Sequence, residues 1–240
     1  MNRQSAFAVA CAVSATTALG VVASPAGAID LKQLIDTNDM IVSGDKKFSD
    51  FFFSATCDAL SECSPIEAND IEVNPIVDGM GNFGINFNGV FRAISGVIND
   101  VELRYTVEVT DPNYWISAVH LDADFNENDG IVNITETLND MSGNRLGQIE
   151  VDNDPTSPVG LPPAWVDLTT PAKKLLVKKD IGFVGFNEKG ESQPVFFSIV
   201  DQTFSQKRET VPEPGAVTGL LAIGSLSVGA MLKRHFGKKA

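Results

Sequence analysis

Histidine is nearly missing from this chain. There are two in 240 residues, and only His120 lies in its body, which leaves little material for a histidine-based triad or a zinc site. Cysteine is scarce too: three in all, none at C-x-x-C spacing, so neither a zinc cluster nor a dithiol redox motif is written into the chain. Basic residues are few, 18 against 31 acidic ones, and the net charge is −13. Such a surface repels nucleic acid and anionic lipid, and favours solubility and divalent cations. Long amphipathic helical patterns are rare between residues 29 and 205, which argues against a helical fold.

What the chain does have is two ends unlike its middle. Residues 1–28 carry Arg3, then an apolar, alanine-rich stretch from Ala6 to Val22, and close on Ala26-Gly27-Ala28. That order of parts predicts a secretory signal peptide exported through Sec and cut by signal peptidase after Ala28. Two other readings stand beside it. Cys11 follows Ala10 and is the lipoprotein alternative, but too few residues precede it for both a charged and an apolar region. An uncleaved anchor is the other, and its apolar core is short.

Pro214 to Leu232 gives 19 residues without a charge. At a rise of about 1.5 Å per residue they just cross a bilayer core of about 30 Å. Gly215, Gly219, Gly224 and Gly229, with Ser225 and Ser227, make this a weakly hydrophobic helix. Lys233, Arg234, Lys238 and Lys239 then hold the C-terminus in the cytoplasm and leave the acidic body outside. Without the two ends, the segment holds 13 bases and 30 acids, a formal charge of −17.

The series Val211-Pro212-Glu213-Pro214, a Gly-rich apolar span and a basic tail resembles a PEP-CTERM sorting signal. The resemblance covers about the last 30 residues, and its three parts stand in the family's order. It implies recognition by the membrane-embedded cysteine protease exosortase, with Pro212, Glu213 and Pro214 as the tripeptide, and removal of the tail during export. It also implies a bacterium of the kind that makes exopolysaccharide or biofilm. Independently of any family, two prolines around Glu213 hold an extended backbone outside the membrane, the form a protease takes up. A permanent single-span anchor is the alternative reading.

The middle reads as strands. In "VELRYTVEV", Val101, Leu103, Tyr105, Val107 and Val109 share one face while Glu102, Arg104, Thr106 and Glu108 share the other. Further strands are expected at Phe48–Ser54, Ile71–Val77, Phe83–Phe87, Trp115–Leu121, Ile131–Leu138, Leu146–Val151, Leu175–Val177, Ile181–Phe186 and Val195–Phe204, with turn clusters between them. The predicted fold is all-β: an antiparallel β-sandwich or jelly-roll-like domain over 29–205, flanked by the signal helix and the C-terminal transmembrane helix. Residues 206–211 form a linker and 212–240 the sorting signal. The Pro-rich stretch 154–165 reads as a loop inside one domain, because the strands after it are too few to close a second core. Lys173, Lys174, Lys178 and Lys179 around Leu175–Val177 suggest an edge strand guarded by lysines.

Cys57 and Cys63 are expected to pair, since two nearby cysteines in an exported domain usually do. Gly79-x-Gly81-x-x-Gly84 has the form of a dinucleotide fingerprint, but "INFNGVF" follows as strand rather than helix, so a hairpin turn is predicted instead. Asp122, Asp124, Asn126, Asn128 and Asp129 supply hard oxygens suited to Ca²⁺, the only cofactor the sequence suggests. They miss the EF-hand pattern, with Gly130 in the seventh place and Thr135 in the twelfth, and an acidic solvated loop accounts for the same residues. Asn133-Ile134-Thr135 matches a glycosylation acceptor, which means little in a bacterium.

Glu102 and Glu108 sit on the polar face of one strand and are weak glycosidase candidates. His120 ends a strand pattern beside Val119 and Leu121, where a structural role is expected. Trp115 is expected in the core, and Trp165 in the Pro-rich loop, where it is able to stack on a sugar ring. The sequence thus points to an exported, non-enzymatic surface or matrix protein with a structural or adhesive role. A carbohydrate-binding or calcium-dependent module of an exopolysaccharide matrix is the alternative, and a hydrolase with an unrecognised carboxylate pair is third.

Overall fold

The computed structural model describes residues 27–59, 65–93, 97–124, 130–153, 161–185 and 194–209. Twelve strands and one short helix follow in chain order. They are β1 (Ile29–Asp30), α1 (Leu31–Thr37), β2 (Ile41–Ser43), β3 (Lys46–Ala59), β4 (Ile71–Val77), β5 (Phe83–Ala93) and β6 (Val97–Val109). Next come β7 (Tyr114–Ala123), β8 (Ile131–Asn139), β9 (Arg145–Asp152), β10 (Ala164–Ala172), β11 (Lys174–Val184) and β12 (Val195–Arg208). Two six-stranded sheets form: a front sheet in the order β1-β4-β5-β12-β7-β10, and a back sheet in the order β2-β3-β6-β11-β8-β9. Every pairing is antiparallel. The all-β sandwich follows from the alternation in the sequence.

Alternation sets which side of each strand meets the other sheet. Val101, Leu103, Tyr105, Val107 and Val109 of β6 are all buried, as their spacing predicts. Their outward neighbours make a charge lattice on the back sheet. Lys47 meets Glu108 at 3.2 Å, Lys178 meets Glu102 at 3.3 Å, and Arg104 meets Glu102 at 2.7 Å. Glu102 and Glu108 are therefore each paired with bases. Between the sheets, Tyr105 packs against Phe48, Phe51 and Phe87, while Phe91 stacks on Phe197 and both meet Phe183 edge-on.

Two loops share one device. Asp78 Oδ1 accepts from the N–H groups of Met80 and Asn82, and Asp140 Oδ1 accepts from those of Ser142 and Asn144. Each loop has glycine in the left-handed region, Gly81 at φ 86° and Gly143 at φ 87°. D-x-x-G-N is thus the hairpin signature of both turns. The first joins β4 to β5, so Gly79, Gly81 and Gly84 belong to a hairpin, as expected from the strand that follows them.

Several expectations are corrected. The lysine-flanked segment is no edge: β11 lies between β6 and β8, and joins Leu175–Val177 and Ile181–Val184 in one strand. Lys179 has the inward parity of Val177 and Ile181 and is fully buried, which is tolerated because Glu136 and Gln202 meet its ammonium. Trp115 is not a core residue; it is half-buried, with the Lys173 ammonium 4.7 Å from its ring centroid. The Pro-rich loop ends before Ala164, and Trp165 stands on β10. β12 runs on to Arg208, into the stretch expected as linker.

The helix α1 was not foreshadowed. Asp30 caps it by accepting from the N–H of Gln33 at 3.2 Å, and Leu31 and Leu34 pack into the core. Among the described residues no helix is long and apolar enough to cross a membrane. The expected signal helix, and the transmembrane span 214–232, lie outside the described residues.

Candidate outer-face binding cleft

The outward side of the front sheet carries two adjacent cross-strand rows. One runs Ile76–Gly84–Thr203–His120–Trp165 across β4, β5, β12, β7 and β10. The other runs Asn74–Asn86–Asp201–Asp122 across the first four of these. The second row is wholly polar, and the first ends in an exposed indole. Gly84 matters to this surface because a Cβ there would stand 1.8 Å from the carbonyl oxygen of Gln202. Only a glycine lets β5 lie this close to β12.

The Asp78–Asn82 turn and the start of β10 rise on either side of these rows and leave a cleft of about 440 Å³. Trp165 is 69% exposed at one side and Met80 is 74% exposed at the other, with His120, Asp122, Asp201 and Thr203 between them. A largely exposed tryptophan is unusual, because burying its ring is worth more than burying almost any other side chain.

The polar groups are held in fixed positions. Asp78 Oδ2 accepts from Thr203 Oγ1 at 2.8 Å and from Asn82 Nδ2 at 2.8 Å, which ties the turn to the sheet. Ser205 Oγ donates to Asn82 Oδ1 at 3.1 Å and lies 2.7 Å from His120 Nε2. With the serine proton committed to Asn82, His120 Nε2 is the donor to Ser205 Oγ, an arrangement that in the neutral imidazole leaves Nδ1 as an acceptor. Burial would raise the Asp78 carboxyl, but its hydrogen bonds from Asn82, Thr203 and Met80 outweigh that and hold it below the usual carboxylate range. Asp201 goes the other way. Burial pushes it up, Asn86 opposes this by donating to it, and the nearby Asp122 and Asp124 carboxylates push it up further.

Asp122 faces outward into the cleft, whereas Asp124 is engaged elsewhere. Asp124 Oδ1 accepts from the N–H groups of Ser198 and Ile199, both at 2.9 Å, and Oδ2 accepts from Ser198 Oγ at 2.8 Å, bracing an irregular point of β12. Asn126, Asn128 and Asp129 lie outside the described residues, as do Cys63, Ala26, the Pro212-Glu213-Pro214 motif and the basic cluster Lys233, Arg234, Lys238 and Lys239. Among the described residues no group of three or more His, Cys, Asp or Glu side chains is placed to hold a metal ion. Cys57 is half-buried on β3, and Ala28 is exposed just before β1.

Reading the sequence alone finds Trp165 and His120 but not their meeting. Ala164↔Leu121 and Trp165↔His120 are the register of β10 on β7, and β10 is not among the expected strands, its first two residues being read as the end of the Pro-rich loop. Asp201 and Thr203 were read only as part of a strand. Their outward parity follows once Val200 and Phe204 are known to point inward.

No protein-family model and no curated protein matches the chain. Among solved structures it is similar to TmCBM61 in complex with β-1,4-galactotriose, at 15% identity and a TM-score of 0.31, over 65% of this chain and 88% of that one. It is also similar to a carbohydrate-binding module of the β-sandwich superfamily, at 8% identity and a TM-score of 0.32, over 66% and 57%. A DUF4465 family protein from Bacteroides caccae is similar at 12% identity and a TM-score of 0.21, over 57% and 87%.

Proposed function

We propose that this chain is an exported protein of the cell surface or matrix whose front sheet binds a polysaccharide through the cleft between Trp165 and Met80. The observation that carries the reading is the pairing of an exposed indole with a fixed polar floor. A sugar ring has an apolar face of C–H groups and a rim of hydroxyls, and Trp165 offers a flat apolar surface for the first. Asp122, Asp201 and the acceptor nitrogen of His120 suit the second. The cleft is open rather than enclosed, which fits a chain passing through better than a small molecule held inside.

Export and sorting belong to the same proposal. Among the described residues the first strand begins at Ile29, the residue expected to lead the chain after signal cleavage. Among the described residues the last strand, β12, ends at Arg208, before Pro212 in the sequence. An exosortase then removes the tail, and binding rather than catalysis is the domain's role. A glycan array probed with the chain and with Trp165→Ala tests this reading. Binding to a restricted set of polysaccharides that falls at least about tenfold in the variant, ~1.4 kcal/mol, supports it. Binding that survives the loss of Trp165 removes it.

A further inference from the structure

Lys179, Glu136 and Gln202 meet at the centre of the sandwich, on β11, β8 and β12, and all three are fully buried. The Lys179 ammonium donates to Glu136 Oε2 and to Gln202 Oε1, so one nitrogen holds the carboxylate and the carboxamide side by side. The carboxamide nitrogen of Gln202 donates to the carbonyl oxygen of His120 at 2.7 Å, which fixes the plane of the amide. Among the described residues Glu136 Oε1 and Tyr105 Oη have no hydrogen-bond partner. An ion pair with an orphaned oxygen, in a core shared with Phe48 and Phe204, is an expensive arrangement for stability alone, since packed apolar residues usually serve as well or better.

We propose that Lys179 and Gln202 are joined by an intramolecular amide bond that staples the back sheet to the front sheet, with Glu136 moving the protons. Passing one proton from Lys179 to Glu136 leaves a neutral amine facing a carboxamide and a neutral carboxyl able to donate to Gln202 Oε1. The Nζ lone pair adds to Cδ of Gln202, and the carbonyl electrons move onto Oε1. Glu136 then takes a proton from Nζ and delivers one to Nε2. The Cδ–Nε2 bond breaks, ammonia leaves, and the new Nζ–Cδ amide remains. The balance is one amine and one primary amide in, one secondary amide and one ammonia out, with no oxidant or reductant and no net change of charge.

The surroundings favour this exchange. Burial pushes the Glu136 carboxyl up and the Lys179 ammonium down, both towards the forms the reaction needs. The full burial of the three side chains excludes bulk water, so hydrolysis does not compete. Holding the groups in contact replaces an encounter with an intramolecular step. Glu136 touches the reacting amine, which itself touches the carboxamide of Gln202, and this places the carboxyl to carry protons at the junction of the two.

The test is high-resolution mass spectrometry of the purified chain after reduction of its thiols, followed by tryptic mapping. The expected result is a mass one ammonia below that of the processed sequence, and a branched peptide in which uncleaved Lys179 is joined to the segment carrying Gln202. Glu136→Gln is expected to restore the full mass in a chain that keeps its β-sheet circular dichroism, and Lys179→Met does the same. A wild-type chain of full mass with a free, trypsin-cleavable Lys179 overturns the proposal, whatever the variants do. A mass one water lower, with Lys179 joined to Glu136, overturns the assignment of Gln202. Bond formation at the wild-type level in Glu136→Gln overturns the role of Glu136.

Discussion

Removing Lys179 and leaving Glu136 behind is the sharpest perturbation of the core. Lys179→Met keeps the length of the side chain but strands a carboxyl that is fully buried on β8. Breaking a buried pair in this way costs about 3–5 kcal/mol, whereas replacing both partners by apolar groups of similar volume is often neutral or stabilising. Glu136→Leu/Lys179→Met is therefore expected to be more stable than Lys179→Met alone by at least about 3 kcal/mol near neutral pH. Both variants lack the amine, so an amide bond to Gln202 does not enter the difference. The difference also depends on pH with a definite sign. Burial raises the folded pKa of Glu136 above its unfolded value of about 4.3. The lone carboxyl thus causes little loss below that value, where its protonated form can donate to Gln202 Oε1. The loss grows as the pH rises towards the folded pKa. Urea unfolding at several pH values measures this. Single and double variants that agree within about 0.5 kcal/mol from acid to neutral pH would refute the buried pairing.

Three further outcomes follow from the same packing. Gly84→Ala drives a methyl group to 1.8 Å from the Gln202 carbonyl and 2.8 Å from Thr203 Cα, both backbone. It is expected to cost at least the 1–3 kcal/mol typical of overpacking, about that much in thermal or urea unfolding, and to disturb the cleft; an unchanged midpoint contradicts the close approach of β5 and β12. Asp122→Asn removes a negative neighbour of Asp201, so the Asp201 carboxyl is expected to titrate at lower pH by NMR, and an unmoved or raised pKa contradicts the row Asn86–Asp201–Asp122. The non-reduced intact mass of the protein from its host's extracytoplasmic fraction is expected to correspond to a start at Ile29, loss of the tail near Pro212, the deficit of two hydrogens of a Cys57–Cys63 bond and the loss of one ammonia at Lys179 and Gln202; a retained tail contradicts exosortase processing.

Much of the sandwich is legible because period-two burial repeats along β6 and β8. Where alternation carried a charge, it misled. Lys179 has the parity of a core residue, but a lysine cluster reads as solvated unless its partners, Glu136 on β8 and Gln202 on β12, are known to converge. Residues 31–37 hold two turns at most, too little for a helical period to show against the strands around them. The strand β10 was hidden by Pro162 and Pro163 just before it and Pro171 within it, since proline argues against regular pairing; the register irregularity between Asp167 and Ala172 accommodates that break. The cleft was half legible. Trp165 stood out as a loop aromatic, but its neighbours come from β7 and β12, and only sheet order places them together.

Binding at this cleft is tested most directly by the emission of Trp165 itself. With two tryptophans in the chain, Trp115→Phe leaves Trp165 as the only one to report. Titrating this variant with oligosaccharides released from the host's own exopolysaccharide should shift or quench the emission in a saturable way, and the response should weaken when Asp122→Asn is added. Emission that stays unchanged across the whole panel, while the domain remains folded by circular dichroism, contradicts a sugar-binding role for this face.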